Sequence, residues 1–499
     1  MKKILIIFLV FLTVTACKKL DSLNANLKDI TVAPGEAVFN GATRALLNQI
    51  FTPNVNDNNT MLFVQYFAET TYPDESDYDM VTRPIPATNM NILYRNVLMN
   101  YKDAARALTA APIVGIDQKQ RDNQLAIIEI MSVFTWSNIV ETYGNMPYSE
   151  ALDYTKPNPK YDDGLTIYQD LIKRLNAAIA KLNPAYAGMG AGYDNVFGGD
   201  VAGTAQWIKF ANTLKLRMGI MLSDIPAQAA LAKTTVESAA PNVFNVPITS
   251  PTTGDKFAMS FLKDSPNTTP MYTELNLSGR SDYVITSIYA DPLNTLNDPR
   301  RPGFMWTQVG GAYVGGIQGA PNAFGSFTHV DLSLLTPTRE VVLMDYTEAE
   351  FLLAEAVERG FTVGGTAATH YNNAITSSIQ YWGGSAADAA TYLAQPAVAY
   401  ATATGTWRQK IGTQSWYAYY FRGFTAWTNW RRLDYPRLIA PAAHVQDVNG
   451  IPVRYTYAVS EQTLNHANYT AAATAIGGDK AETRLFWDKG PENYDSSFH

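Results

Sequence analysis

The sequence predicts a mostly α-helical protein, a scaffold of tetratricopeptide-like helix pairs that carries a large loop-rich insertion. Three observations predict this fold class. Apolar residues recur at helical spacing through much of the chain, helix-capping patterns precede several of these segments, and one long stretch loses the periodicity altogether. Helix pairs of this size are typical of tetratricopeptide-type repeats, although no strict consensus of about 34 residues is present.

The N-terminal half is predicted to be helical along most of its length. Periodic apolar residues predict helices at 36–51, 61–69, 90–110, 122–143 and 204–223. The helix at 122–143 carries so few charges that we expect it to lie centrally and buried. Thr166 and Gln169 form a capping-box pattern that predicts the start of a further helix. Pro184 ends that helix.

Residues 242–337 form the predicted insertion, which we place on the ligand-binding side of the molecule. Gly, Pro, Asn, Ser and Thr interrupt this stretch constantly, and no sustained periodicity survives. A loop of this length inside a helical protein is usually functional. Short strands are predicted within it, near 283–289 and 311–315.

Helices resume after the insertion. Thr347 and Glu350 form a second capping box, and Gly360 provides a good C-terminal stop for the helix that follows. Its predicted partner helix covers 367–382. An aromatic-rich segment and a short helix at 460–465 complete the chain.

The N-terminus has the features of a lipoprotein signal. Lys2 and Lys3 precede an unbroken apolar run, 4–12, that is too short to span a membrane. Val14-Thr15-Ala16-Cys17 matches the lipobox, in which the cysteine thiol is lipidated. An ordinary signal with a chance cysteine is the alternative. We predict a cleaved signal peptide at 1–16, lipidation at Cys17, a tether at 17–34 and a single domain at 35–499.

The composition excludes several function classes. The sole cysteine is Cys17, which rules out disulfides and cysteine metal sites in the rest of the chain. The formal net charge is -7 and no basic cluster follows the signal, so nucleic acid is not an expected partner. No catalytic, phosphate-loop or dinucleotide motif is present, so we expect no catalytic residues and no cofactor. The acidic run at 74–79 lacks the midway glycine of a calcium loop, which favours a solvated loop over a metal site.

Several blocks of the sequence resemble the SusD/RagB family of nutrient-binding outer-membrane lipoproteins. In chain order they are YGNMPYSEAL at 143–152, WIKFANTLKLRMGIMLSD at 207–224, NDPR at 297–300, AEFLLAEAVERG at 349–360, GTQSWYAYYFRGFTAWTNWRRLDYPRL at 412–438 and IPVRYTYAVSEQTLN at 451–465. Asn145 replaces a usual aspartate, Thr425 and Asn429 replace usual acidic residues, and Ala458 replaces a usual proline. The similarity covers nearly the whole chain.

The resemblance implies a mostly α-helical fold with tetratricopeptide-like repeats. It implies a lipid anchor in the outer membrane, with the protein exposed at the cell surface. It also implies a partner, a SusC-like TonB-dependent β-barrel transporter over which such lipoproteins sit as a lid. The matched blocks are predicted to be structural rather than ligand-binding, including Trp207, Trp427, Trp430, Arg431 and Arg432.

We therefore interpret the chain as a non-catalytic lipoprotein that captures oligosaccharides or peptides, with a glycan the favoured ligand, and delivers them to the transporter. The alternative is a surface glycoside hydrolase on a helical scaffold, because the spacing of paired carboxylates depends on the fold. A structural lipoprotein without a ligand is a third interpretation.

Aromatic side chains in loops are the candidate ligand contacts, because sugars and extended peptides are held by ring faces and a few polar groups. Two loop stretches, 72–78 and 283–313, contain such residues. The predicted ligand-binding residues are Tyr72, Asp74, Tyr78, Tyr289, Trp306 and Tyr313. We expect the two stretches to line a shared pocket. The alternative for Trp306 is that it only plugs its loop onto the core.

Overall fold

The computed structural model describes residues 33–304, 306–445 and 450–489, and it is mostly α-helical. The predicted signal peptide, Cys17 and nearly all of the predicted tether lie outside the described residues. The helices are α1 (Gly35–Phe51), α2 (Thr60–Phe63), α3 (Ile85–Asn91), α4 (Met99–Ala110), α5 (Gln118–Tyr143), α6 (Gly164–Lys181), α7 (Val201–Met221), α8 (Ala229–Ala239), α9 (Pro270–Tyr272), α10 (Ser287–Thr295), α11 (Arg300–Gly303), α12 (Tyr346–Glu358), α13 (Ala367–Tyr381), α14 (Ala386–Leu393), α15 (Trp407–Ala418), α16 (Gly423–Leu433), α17 (Val459–Leu464) and α18 (His466–Ala475).

Short strands connect the helical parts in antiparallel pairs. β1 (Phe67–Glu69) pairs with β5 (Tyr283–Ile285), β2 (Met146–Pro147) with β3 (Tyr161–Asp162), and β4 (Lys256–Met259) with β6 (Val341–Asp345). The β1–β5 pair joins the region after α2 to the insertion. The β4–β6 pair joins the start of the insertion to its end. These two pairs therefore fix the insertion against the helical scaffold.

The helices pack as pairs, which confirms the predicted tetratricopeptide-like architecture. α5 packs on α6, α7 on α8, and α12 on α13, while α1 packs on α4. Each pair buries the apolar stripe of one helix against its neighbour, and the pairs together enclose one continuous core. Two π-helical turns interrupt this regular pattern, Ile92–Leu98 between α3 and α4 and Thr273–Leu277 after α9.

α5 is the central helix, as its composition predicts. Nearly every residue from Ala126 to Tyr143 is buried. It is also the one helix among the described residues with the length and apolar composition to cross a membrane, yet 89% of its most apolar window is buried inside the fold. It is therefore the core helix of the scaffold.

The two predicted capping boxes are wrong, because an aspartate upstream caps each helix instead. Asp163 accepts a hydrogen bond from the Thr166 backbone N–H at 2.8 Å, which places Thr166 in the first turn of α6. Asp345 accepts from the Glu348 N–H at 2.9 Å and begins α12. A carboxylate at the N-cap also interacts favourably with the positive end of the helix dipole, so it wins over the nearby threonine.

The structure also tests one further predicted helix and the two predicted strands. The predicted helix at 61–69 is wrong: α2 ends at Phe63, Gln65 takes a positive φ of 57°, and the following backbone pairs with β5. The strand near 283–289 is confirmed only for Tyr283–Ile285, which form β5, since Ser287 already begins α10. No strand forms at 311–315, where Val309 and Ala312 make only an isolated bridge.

The residues predicted to be structural do lie in the core. Trp207, Trp427 and Trp430 are all buried. The Arg431 guanidinium lies between two indole rings, 3.6 Å from the centre of Trp427 and 4.7 Å from that of Trp487. Arg432 forms a buried ion pair with Glu355 on α12. These matched blocks therefore hold the scaffold together.

Candidate functional site

One surface, which we call the loop face, is formed by residues 70–82, 313–329 and 439–445. It is built on the β1–β5 pair, because β1 leads directly into the first segment and the Ile285 N–H of β5 donates to Thr328 O in the second segment at 2.8 Å. The Asn322 backbone N–H donates to Thr70 O at 2.9 Å, and Asn322 Nδ2 donates to Glu69 O at 3.0 Å. An asparagine side chain thus fastens the insertion to the end of β1.

The third segment is held by hydrogen bonds to the first. Gln65 Nε2 donates to Ile439 O at 2.7 Å, and the Val445 N–H donates to Asp77 O at 2.9 Å. From the insertion, Gln318 Nε2 donates to Ser76 O at 3.1 Å. The structure therefore brings together loops that are more than 350 residues apart in the chain.

Three of the six predicted ligand contacts are buried, so the exposure predicted for them is wrong. Tyr78 and Tyr289 have no exposed surface and Trp306 is 5% exposed. Gln65 Nε2 donates to the Tyr78 hydroxyl at 2.9 Å, and the Tyr289 hydroxyl donates to Tyr417 O at 2.8 Å.

The physical reason is an aromatic cluster around α15. Tyr289 packs edge-on against Trp416 at 4.8 Å and stacks on Tyr420 at 5.5 Å. Trp306 Nε1 donates to the Tyr420 hydroxyl at 3.2 Å. Trp306 therefore plugs its loop onto the core, the alternative that the sequence left open.

The other three predicted residues remain accessible. Tyr72 is 68% exposed at the tip of its loop, and Asp74 beside it is exposed. Tyr313 is half-buried, with its ring 5.8 Å from that of Trp306 and beneath the Arg301 guanidinium at 5.5 Å. Their contact with a ligand stays a prediction.

Sequence reasoning missed a second aromatic pair on the loop face. The rings of Phe324 and His329 lie 3.8 Å apart, and both side chains are half-exposed. Phe324 follows Asn322 by two residues, and Tyr72 follows Thr70 by two, so the Asn322–Thr70 hydrogen bond holds both aromatic positions at one junction. Phe324, like Tyr72, is an aromatic residue in a loop without helical periodicity, but its exposure was not evident from the sequence.

A buried carboxyl group fixes the base of the Tyr72 loop. The Ser76 N–H donates to Glu69 Oε2 at 2.8 Å, and the Glu69 N–H donates back to Ser76 Oγ at 3.0 Å. Burial raises the pKa of Glu69 to about 8, and the charge of Glu75 adds to this, while the Ser76 hydrogen bond opposes it. Arg83 forms an ion pair with Glu75. At neutral pH Glu69 is therefore largely protonated.

Asp77 lies at the edge of the same loop. Burial raises its pKa to about 6, and the charge of Asp74 contributes in the same direction, while His444 opposes the shift. The loop face thus offers exposed rings together with carboxyl and hydroxyl groups, which suits stacking and hydrogen bonding. Within residues 33–304, 306–445 and 450–489, no group of three His, Cys, Asp or Glu side chains could hold a metal.

Comparison with known protein families matches the chain to a family model. The SusD-like model, described as starch-binding and associating with the outer membrane, matches residues 26–458. A comparison with curated protein sequences finds no match.

Solved structures share the fold. A chitin-binding SusD homologue from Flavobacterium johnsoniae is 23% identical, with a TM-score of 0.75, over 92% of this chain and 99% of its own. A SusD homologue from Bacteroides uniformis is 23% identical, with a TM-score of 0.73, over 91% and 99%. A SusD-like protein from Bacteroides thetaiotaomicron is 21% identical, with a TM-score of 0.74, over 92% and 99%. At these identities the likeness establishes the fold and leaves the ligand open.

Proposed function

The chain belongs to the SusD-like family, and on that basis we propose that it is a lipid-anchored cell-surface protein that binds a glycan and delivers it to a SusC-like TonB-dependent transporter. Members of this family are non-catalytic binding proteins. A surface glycoside hydrolase is therefore no longer the alternative. The family description of starch binding at the outer membrane, and the chitin-binding homologue of the same fold, support a glycan as the ligand.

The observation that supports the proposed binding site is a set of accessible aromatic side chains where two loops meet on the loop face. Tyr72 is largely exposed, the Phe324–His329 ring pair is half-exposed, and the Asn322–Thr70 hydrogen bond holds the two loops together. Pyranose rings present apolar C–H faces that pack on aromatic rings, while their hydroxyls need hydrogen-bonding partners such as Asp74. We propose Tyr72, Asp74 and Phe324 as ligand contacts, with Tyr313 at the margin.

The proposal also includes a lipid anchor at Cys17 and a transporter as the partner. Lipidation at Cys17, followed by a tether that reaches roughly 20 Å, would hold the protein at the membrane while letting it move over the transporter. Helical repeats present broad surfaces that suit such a partner. The family description of outer-membrane association supports this placement.

The glycan proposal is tested by an array of glycans and peptides, followed by titration of the best ligand. We expect a glycan ligand, and we expect Tyr72→Ala to lower its affinity by roughly 5- to 30-fold, since one stacked ring contributes about 1–2 kcal/mol. Tyr154→Ala is the matched control, because Tyr154 is 95% exposed and lies outside the loop face. Binding of peptides alone, or equal affinity of the Tyr72 and Tyr154 variants, would contradict the proposal.

The anchoring proposal is tested by Cys17→Ala. Without the thiol no acyl chain can be attached, so the variant should leave the outer-membrane fraction. The measurement is membrane fractionation in a strain that lacks the transporter, because the partner could otherwise retain the protein. A variant that stays with the membrane in that strain would show that the lipid is not the anchor.

A further inference from the structure

Two adjacent cavities lie between the start of the insertion and the C-terminal end of α13, away from the residues that define the loop face. The outer cavity, which we call the vestibule, has a volume of about 330 Å³. Its lining residues include Thr252, Ser260 and Gly383. The inner cavity has a volume of about 40 Å³, room for about three water-sized groups. The two cavities share four lining residues, Arg339, Glu340, Tyr381 and Trp382.

Three side chains that line the inner cavity carry buried polar atoms that lack a hydrogen-bond partner among the described residues. They are Thr269 Oγ1, Thr347 Oγ1 and Arg422 Nε, all on side chains that line this cavity and are more than nine-tenths buried. A buried polar group without a partner is costly, and native proteins rarely leave one. Three such atoms around a single cavity indicate that a polar occupant belongs there.

The charges around the inner cavity balance. Arg422 pairs with Asp345 at 3.1 Å, and the cavity wall adds one further cation, Arg339, and one further anion, Glu340. Behind the wall, Lys256 pairs with Glu340 and Glu348 pairs with Arg422, which adds one charge of each sign. A lining without net charge favours a neutral occupant, because a charged one would leave an uncompensated charge in a buried site.

The chemistry of the unpartnered atoms further restricts the class of ligand that fits the inner cavity. The two threonine hydroxyls can donate or accept, and the Arg422 N–H can only donate. A hydroxyl group satisfies both kinds of partner. In the vestibule, Tyr381 and Trp382 add aromatic surface, with the Arg339 guanidinium 5.3 Å from the Trp382 ring centre. The combination of rings, hydroxyls and an arginine is typical of sites for small polar ligands.

We propose that the vestibule is a second binding site, separate from the loop face, for a neutral sugar residue. The sugar ring occupies the vestibule beside Tyr381 and Trp382. One hydroxyl-bearing substituent of the ring extends into the inner cavity, toward Thr269, Thr347 and Arg422. The site would hold a terminal sugar residue or a disaccharide, in contrast to the open loop face.

The first experiment locates binding with defined probes, maltose and N,N′-diacetylchitobiose, together with glucose, galactose, mannose and N-acetylglucosamine. Glucuronic acid is the charged comparison. Crystals of the protein are soaked in each probe, and affinities are measured in solution by calorimetry or NMR titration. We expect sugar density in the vestibule for at least one probe. Density confined to the loop face, water alone in the vestibule with every probe, or a preference for glucuronic acid over glucose would overturn the proposal.

The second experiment blocks the site. Ser260 lies at the exposed edge of the vestibule, so Ser260→Trp should fill it and lower the affinity for the bound probe at least tenfold. Ser460→Trp, on the exposed surface of α17, is the matched control and should leave the affinity unchanged. Equal affinity of the Ser260 and Ser460 variants would overturn the proposal.

The third experiment tests the inner cavity. Thr269→Val and Thr347→Val remove hydroxyls that have no partner, so the variants should be at least as stable as the natural protein to denaturant. Their affinity for the bound probe should nevertheless fall several-fold. Unchanged affinity in both variants would show that no ligand group reaches the inner cavity.

Discussion

Buried charged side chains are neutralised in different ways in the helical scaffold and at the loop face. In the scaffold, several buried arginines are matched with carboxylates, as in the pairs Arg422–Asp345, Arg432–Glu355, Arg359–Asp224 and Arg454–Asp479. At the loop face, Glu69 and Glu75 are both buried with Arg83 as their cation, and burial raises the pKa of Glu69. The scaffold is thus held by neutralised pairs, and the loop face by a carboxyl group that keeps its proton.

The difference has a consequence for pH. A paired carboxylate such as Asp224 has a pKa lowered by Arg359 and Arg408, in spite of its burial, so it stays charged throughout the physiological range. Glu69 changes its charge within that range. We therefore expect the paired carboxylate Asp224 to add no pH dependence to stability in mild alkali, and Glu69 at the base of the Tyr72 loop to add one.

The largest expected effect comes from breaking a scaffold pair. Arg422→Leu leaves Asp345 and Glu348 buried without this cation, which should lower the free energy of unfolding by about 3–5 kcal/mol. Arg280→Leu is the control, because the Arg280–Asp282 pair is exposed and should contribute about 0–1 kcal/mol. Chemical denaturation measures both. Similar losses of unfolding free energy in the two variants would show that the buried pair stabilises the fold no more than the exposed pair does.

A pair of aromatic substitutions separates the core from the loop face. Tyr289→Ala removes a fully buried ring from the α15 cluster and should cost about 3–5 kcal/mol of stability, as for other large buried aromatic residues. Phe324→Ala removes a half-exposed ring and should cost less than about 1 kcal/mol, while lowering glycan affinity. The measurements are denaturation and ligand titration. A reversed order of stability would contradict the burial described for these residues.

The third effect is a change in the pH dependence of stability. Because the pKa of Glu69 is about 8 in the folded protein and ordinarily 4.5, the folded state binds more protons than the unfolded state between these values. Stability should therefore fall as pH rises from about 4.5 to about 8, by at most about 1.4 kcal/mol per pH unit.

Glu69→Gln should remove this part of the pH dependence. The variant should retain at pH 8 the stability that the natural protein loses between pH 5 and pH 8. Asp103→Asn, at an exposed carboxyl on α4, is the control and should not change the slope. If the natural protein and the Glu69 variant lose stability in parallel, Glu69 does not hold a proton.

The sequence predicted the scaffold well because helical periodicity reports burial directly. α1, α5 and α13 begin or end within a few residues of their predicted bounds, since their apolar stripes face helices nearby. The helix starts of α6 and α12 were less predictable. Each depended on a choice between a threonine and an aspartate a few residues upstream, and both side chains are good caps.

The loop face could be predicted only in outline. Loop residues do not follow a helical periodicity that reports burial. The local sequence therefore does not distinguish the exposed Tyr72 from the buried Tyr289. Burial of Tyr289 depends on Trp416 and Tyr420, more than 120 residues away in the chain. Phe324 was missed because its exposure follows from the Asn322–Thr70 hydrogen bond, which no local pattern reveals.

The position of Arg431 between two tryptophans has a consequence for the order of assembly during synthesis. A ribosome produces Trp427 and Arg431 well before Trp487, so the guanidinium has only one of its two rings until the last segment of the core appears. Burial lowers the pKa of Arg431 to about 9, which shows how strongly the closed core desolvates it. A chain that lacks Trp487 therefore leaves one face of the Arg431 guanidinium without its ring, and the C-terminal segment is needed to complete this part of the core.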